Sequence, residues 1–204
     1  MDIPNCEEFF KGYKAFEKHE KRDAMYKVAT FLISHFWGNT TEMANGLGVL
    51  LLTWNQAFYR YGVFNFDELE RCLNANFKQI EEFRKRNIIS LSSSDENNIR
   101  QLFDQFFEAL KIDSGKLKGR KSPVAAAKAL HLLAPEFFPL WDYKIAKHFG
   151  YYYNDDPSGK YVLFCRTIQT IANGLKNCGP HTSEKTLIKL IDEYNYSKYT
   201  QGWV

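Results

Sequence analysis

GRKSPVAAAKALHLLAPEFFPLWDYKIAKHFG, running from Gly119 to Gly150, divides into three parts, and the remaining sequence is best read outward from it. Ser122 to Leu133 is rich in Ala and Leu, with Ala125, Ala129 and Leu132 at helical spacing. A helix packed closely on its small-residue face is expected there. Pro135 and Pro139 stop it, with the apolar turn Glu136-Phe137-Phe138 between them. Leu140-Trp141 then leads into Asp142, which stands where a new helix takes its N-cap, and that helix ends at Gly150. A carboxylate at a helix N-terminus beside Trp141 and Phe138 is kept ionised by the helix dipole while it faces apolar walls. Such a site suits the stabilisation of a developing positive charge.

Upstream, Asp113 to Gly119 (DSGKLKG) is a Lys-rich connector. Before it, Ser93 with Glu96 starts DENNIRQLFDQFFEALKI, in which Ile99, Leu102, Phe103, Phe106, Phe107 and Leu110 form a regular amphipathic stripe. Ser90 to Ser94 is a turn, Phe77 to Arg86 a helix, and Asn65-Phe66-Asp67-Glu68 caps a short helix to about Asn74. Asn39-Thr40-Thr41-Glu42 resembles a capping box opening MANGLGVLLLTWNQAFYRYG, a nearly all-apolar helix expected to be central and closed by Gly62. Asp23 caps a helix to Trp37 with Val28, Phe31, Leu32, Ile33 and Phe36 as its apolar set. Downstream, YYYNDDPSGK is a turn-rich aromatic loop, Tyr161 to about Lys176 a helix, CGPHT a loop, and Ser183 to Tyr194 a last helix. No strand pattern, internal repeat or long linker interrupts the series. The fold class is therefore all-α, with roughly eight to ten helices.

The 204 residues, 45% hydrophobic and 16% aromatic, suffice for one compact domain or two small lobes sharing an interface. A net charge of +3, from 27 Lys and Arg against 24 Asp and Glu, leaves nucleic-acid binding to be judged on local clusters. Cys6, Cys72, Cys165 and Cys178 lie far apart without a CxxC pair, which argues against a zinc knuckle and a disulfide framework; reduced, mostly buried thiols are expected. The charged N-terminus has no apolar signal core, and no run is long enough to span a bilayer. A cytoplasmic or nucleoid-associated protein, not secreted and without a membrane partner, is the expectation.

The order of helix, basic Gly loop, Ala-rich helix, Pro turn, Asp and helix resembles the helix-hairpin-helix DNA glycosylase superfamily. Family members often read L-P-G-V-G-R-(K or S)-T-A, then an apolar helix, then F-P-(I/V)-x-D. This chain has Leu117-Lys118-Gly119-Arg120-Lys121-Ser122 and then Phe138-Pro139-Leu140-Trp141-Asp142. Upstream, LLLTWNQAFYR is similar to the family helix whose polar residues reach the gap left by a flipped base, which places Asn55 and Gln56 there. The similarity spans roughly Gly46 to Gly150, about half of the chain. Several features depart from the family: only Gly119 of the two hairpin glycines is present, and Pro123 stands where Ala is usual. The four-cysteine cluster is missing, so the chain would be a divergent member without the iron-sulfur cluster, and no cofactor or metal is expected. The part of the helix that carries the catalytic Glu in the adenine branch, Gly48 to Leu52, is apolar, which argues against adenine as substrate.

The resemblance implies a two-lobed helical fold: residues 1–204 as one compact unit, with 40–135 as a central lobe including the hairpin and 1–39 with 136–204 as the second. It implies a DNA repair N-glycosylase that excises a damaged or mispaired base from double-stranded DNA with the base flipped out, without an obligate protein partner. Breaking an N-glycosidic bond builds positive charge on the sugar, which Asp142 would stabilise or attack through a held water. Lys121, or Lys128 further along the helix, would instead act as a Schiff-base nucleophile giving AP lyase activity, and Ser122 is the third candidate for that place. Trp54, Trp141, Phe138, Asn55 and Gln56 would line the base pocket. Lys116, Lys118, Gly119, Arg120, Lys121 and Ser122 would hold the DNA backbone, the backbone N–H groups contributing as well. His35, His131, His148 and His181 lack ligand spacing and read as structural. Two other classes remain open: a non-catalytic relative that binds nucleic acid or a nucleotide, and a helical interaction module.

Overall fold

The structure, a computed structural model, describes residues 3–20, 23–178 and 185–204. His181, most of the CGPHT loop and the expected Ser183 start of the last helix lie outside the described residues. Among the described residues there is no strand. The helices are α1 (Cys6–His19), α2 (Ala24–His35), α3 (Thr40–Trp54), α4 (Gln56–Tyr59), α5 (Phe66–Arg84), α6 (Glu96–Ala109), α7 (Pro123–Leu133), α8 (Tyr143–His148), α9 (Pro157–Leu175) and α10 (Leu187–Asn195). Two short 3-10 turns, Ile88–Ser90 and Ser93–Asp95, precede α6, and a π-helical turn, Tyr196–Gln201, follows α10. Among the described residues no helix is long and apolar enough to cross a membrane.

Side-chain caps set most of the helix starts. Asn5 accepts from the Glu8 amide at 2.9 Å, Asn39 from Glu42 at 3.2 Å, Ser122 from Ala125 at 3.2 Å and Asp142 from Ile145 at 2.7 Å. Each satisfies a first-turn amide that the helix itself cannot. α4 and α6 start without such a bond, and so does α2, where Asp23 has a φ of 40° and its carboxylate lies 3.3 Å from the Lys189 ammonium.

α7 lies at the centre, as its composition demands. Ala125, Ala126, Ala127 and Ala129 are all fully buried, and these small faces let α2, α3, α6 and α9 approach the same helix. Their contacts belong to one continuous core that runs from Phe9 to Tyr194. α2 packs on α3 and α7, whereas α1, α8, α9 and α10 gather around the C-terminal π-turn and one another.

Four expectations are corrected. The apolar run after Asn39 does not continue to Gly62, because the helix breaks at Asn55 between α3 and α4. The two helices expected between Asn65 and Arg86 are one, since Asn76 returns its amide to the Cys72 carbonyl at 2.8 Å and stays helical. On α2 the buried residues are Tyr26, Ala29 and Ile33, while Val28 and Phe31 are 52% and 65% exposed. Cys6 and Cys178 are joined in a disulfide across a Cα separation of 5.2 Å; Cys72 and Cys165 are free, with burial pushing the Cys72 thiol up to about 12.

Candidate functional site

α7 places Lys128 one residue beyond three buried alanines, on the side where the end of α3 closes over it. Its amine donates to the Trp54 carbonyl at 2.9 Å and to Asn55 Oδ1 at 3.4 Å, and it lies 4.6 Å from the centre of the Trp54 ring. Burial pulls its pKa down to about 8, against the attraction of Asp192 and Asp142 and with help from the positive charge of Lys189. Asn55 serves as the hub: its amide also donates to Ser122 Oγ at 3.2 Å, which ties the break after α3 to the start of α7.

Asp142 is half-buried at the start of α8. Oδ1 accepts from the Ile145 amide at 2.7 Å, and Oδ2 accepts from the Thr200 hydroxyl of the π-turn at 2.6 Å. Each oxygen keeps a second lone pair. The carboxylate therefore sits held between its own helix and the C-terminal turn, within electrostatic reach of Lys128.

α10 brings in a set of charges that sequence reading did not single out. Lys189, whose side chain is 2% exposed, stands 3.3 Å from Asp23, 3.6 Å from Asp192 and 3.6 Å from Glu193. Burial opposes its charge, but Asp192, Asp23 and Glu193 outweigh that and hold its pKa above the ordinary lysine value. Burial pushes the Asp192 carboxyl up to about 6; Lys189 resists, and the neighbouring negative charges of Asp142 and Asp23 add to the rise. Glu193 is raised by burial as well, against Lys189 and Lys185. The spacing of Lys189, Asp192 and Glu193 is visible in LIKLIDEYN, but it is the spacing of ordinary surface ion pairs, and nothing in it signals burial.

The other expected site residues are dispersed. Phe138 is fully buried, packed 5.0 Å from Phe83, and its carbonyl accepts from His131 Nδ1–H at 2.7 Å. Trp141 is 2% exposed and donates its indole N–H to the Pro123 carbonyl at 3.2 Å. Both are core residues rather than pocket walls, because the proline-bent corner turns inward to cover α7. Trp54 and Asn55 are half-buried beside Lys128, and Gln56 is exposed.

In the basic loop, Lys116, Lys118, Arg120 and Lys121 are exposed. The amides of Lys118, Gly119 and Arg120 donate to Gly115, Ile112 and Leu117 carbonyls at 3.3, 2.7 and 3.0 Å, so those N–H groups close the loop rather than face outward. Gly119, at φ 86°, makes the turn that this requires. Ser122 is buried as the α7 cap. Lys121 pairs with Glu108 and lies 5.4 Å from the Phe107 ring, on the α6 side. His131 is structural, fully buried between Phe138 and the Tyr26 hydroxyl at 3.1 Å.

Four cavities among the described residues have volumes of about 370, 640, 40 and 440 Å³, and neither Asp142, Lys128 nor Asp192 lines any of these four. Among the described residues no group of three or more His, Cys, Asp or Glu is arranged to hold a metal ion. Comparison of the chain with family models, with curated proteins and with solved structures finds no match.

Proposed function

We propose that the protein is a DNA N-glycosylase of the helix-hairpin-helix type, with Asp142 as the electrostatic group and Lys128, rather than Lys121, as the amine. One observation carries this reading: a lysine whose pKa is drawn down to about 8 by burial lies in the field of two carboxylates, Asp142 and Asp192. Desolvation of this kind is what makes an amine nucleophilic near neutral pH. Lys121 lacks that environment, being exposed and paired with Glu108.

In this reading the neutral amine of Lys128 adds its lone pair to C1′ of the sugar. The C1′–N bond breaks with its electrons passing to the base, which takes up a proton. Opening of the sugar ring then transfers the amine proton to the ring oxygen and leaves a protonated imine on Lys128. Asp142 stabilises positive charge at C1′ as it develops. Entry of the sugar requires the amine to leave the Trp54 carbonyl and Asn55, and requires the closed site around Asp142 to open.

Borohydride reduction with oligonucleotide duplexes that carry different base lesions tests the assignment. A covalent adduct is expected with wild type and Lys121→Met and is absent with Lys128→Met. Asp142→Asn is expected to abolish base release while duplex affinity stays within about threefold. Equal loss of release and binding would show Asp142 to be purely structural.

A second reading, a helical binding module without catalysis, is favoured by the engagement of both Asp142 oxygens, and Asp142 lines none of the four cavities described above. Duplex binding at low salt without adduct or base release would select it.

A further inference from the structure

The largest of the four cavities, about 640 Å³, opens between the start of α1, the end of α8, α9, α10 and the π-turn. Its volume falls within the range typical of small-molecule sites. Three observations bear on what it holds.

The first is a flat aromatic wall. The rings of His148 and Tyr199 stack with centroids 3.6 Å apart and planes at 15°, and Tyr151 adds a further ring whose hydroxyl is tied to Thr167 at 2.7 Å. Parallel ring faces of this kind accept another planar ring.

The second is the polar edge. Lys198 and the Tyr194 hydroxyl both donate to Glu8 Oε1, the latter at 2.9 Å, and Lys198 also donates to the Tyr194 oxygen at 2.9 Å. Two donors thus converge on one carboxylate oxygen and are bonded to each other. Glu8 Oε2 and one ammonium hydrogen of Lys198 have no protein partner among the described residues. An acceptor and a donor therefore stand side by side on the wall.

The third is the charge. The bond from Lys198 holds the Glu8 carboxyl below its ordinary range, and Glu8 and Tyr194 outweigh burial to hold Lys198 above its own. Burial, then the Lys198 charge, push His148 down, so its imidazole is neutral at neutral pH. Glu8 and Lys198 cancel. A flat anion would have to displace Glu8 from Lys198, and a flat cation would meet that ammonium.

We propose that this cavity is a binding site for an uncharged planar heterocycle with adjacent hydrogen-bond donor and acceptor on one edge, that is, a nucleobase carried on a nucleoside. The base stacks on the Tyr199 and His148 wall and its edge bridges Glu8 and Lys198. Tyr199 and Lys198 are carried by a π-helical turn, a geometry frequent at functional sites. Asp142, at the opposite end of α8 from His148, does not line the cavity, although it holds the same π-turn through Thr200, and the inference does not rest on the glycosylase reading.

Isothermal titration of the full chain with uridine, cytidine, adenosine and guanosine tests it, with ribose and benzoate as comparators. At least one nucleoside is expected to saturate with a Kd below about 1 mM. Ribose is expected not to bind, and benzoate to bind at least about tenfold more weakly. Tyr199→Ala should weaken nucleoside binding by roughly tenfold or more, as expected when a base loses its stacking partner, and Tyr199→Phe should stay within about twofold. Lys198→Met supplies an independent loss should Tyr199→Ala fail to fold by circular dichroism. The proposal is overturned if no nucleoside saturates, if benzoate binds as well as the best nucleoside, or if folded Tyr199→Ala and Lys198→Met bind like wild type.

Discussion

Lys128 concentrates the argument at the scale of single residues, because its environment sets a cost on the fold that a structural role does not need. Its folded pKa of about 8 lies below the ordinary 10.5. Between those values the unfolded chain binds the proton and the native protein does not, so stability rises with pH across that interval. Below pH 8 the cost is present in full, at most about 3 kcal/mol and offset in part by the bonds to Trp54 and Asn55. Lys128→Met is therefore expected to raise stability at pH 7 by about 1–2 kcal/mol, the pattern of a residue kept for function against stability. The gain should shrink toward pH 10. Urea denaturation of both proteins at the two pH values measures this, and a Lys128→Met protein less stable at pH 7 would mean that the amine mainly secures the end of α3. Asp142 obeys no such logic: its two hydrogen bonds make it a good cap and a good hinge to the π-turn whatever else it does.

At the scale of elements, helix contacts are decided by small residues, and the same substitution can have either sign. A Cβ on Gly12, inside α1, would lie 2.3 Å from Tyr194 Cδ2, and Tyr194 is buried with its hydroxyl bonded to Glu8. A Cβ on Gly46, inside α3, would meet only Leu32, at an ordinary 3.5 Å. Gly12→Ala is expected to cost about 1–3 kcal/mol by overpacking, whereas Gly46→Ala should stabilise by about 0.5–1 kcal/mol through helix propensity. Thermal midpoints of the two variants check both signs. The elements themselves were largely legible, since caps such as Asn39, Asn65 and Asp142 and the Ile99 to Leu110 stripe are local signals. What was not legible depends on partners distant in sequence. The chain breaks at Asn55 because Ser122 and Lys128 take its side chain, and α2 turns Val28 and Phe31 outward because Ala29 and Ile33 allow the closer approach to α3 and α7. In the candidate site, Asp142 and Lys128 were visible as residue types at helix positions. Asp192 and Lys189 were not, because an i, i+3 charge pair reads the same in sequence whether solvent or core surrounds it.

At the scale of the whole molecule, two features link distant parts of the chain. The Cys6–Cys178 bond ties the start of α1 to the residues after α9 across a sequence separation of 172. Closing so long a loop restricts the unfolded chain, and reduction or Cys6→Ser is expected to lower stability by up to about 5 kcal/mol in the entropic limit. Urea titration with and without a phosphine reductant reports it; equal midpoints would show that the bond contributes little. The second feature is a pair of buried groups titrating in opposite directions. Burial draws His131 down to about 3 from 6.5, so as pH falls below 6.5 only the unfolded chain gains the proton and stability is lost. Asp192 is raised from 3.8 to about 6, so between those values the native carboxyl gains the proton first and stability grows as pH falls. Each slope is about 1.4 kcal/mol per pH unit at most, and the 14% of the Asp192 side chain left exposed lessens its share. Between pH 6 and 4 the two slopes largely cancel. Below that, Asp95, held far below its ordinary value by Arg86 at 2.7 and 2.8 Å, must be protonated and the fold weakens. Wild-type urea midpoints should therefore be nearly flat from pH 6 to 4.5. Asp192→Asn removes one of the opposing slopes, and its stability at pH 4.5 should fall by about 2 kcal/mol relative to pH 6.5. A wild-type protein that already loses stability at the full one-proton slope between pH 6 and 4.5 would show that the Asp192 carboxyl is not raised, and with it would go the electrostatic coupling of α10 to Lys128 and Asp142.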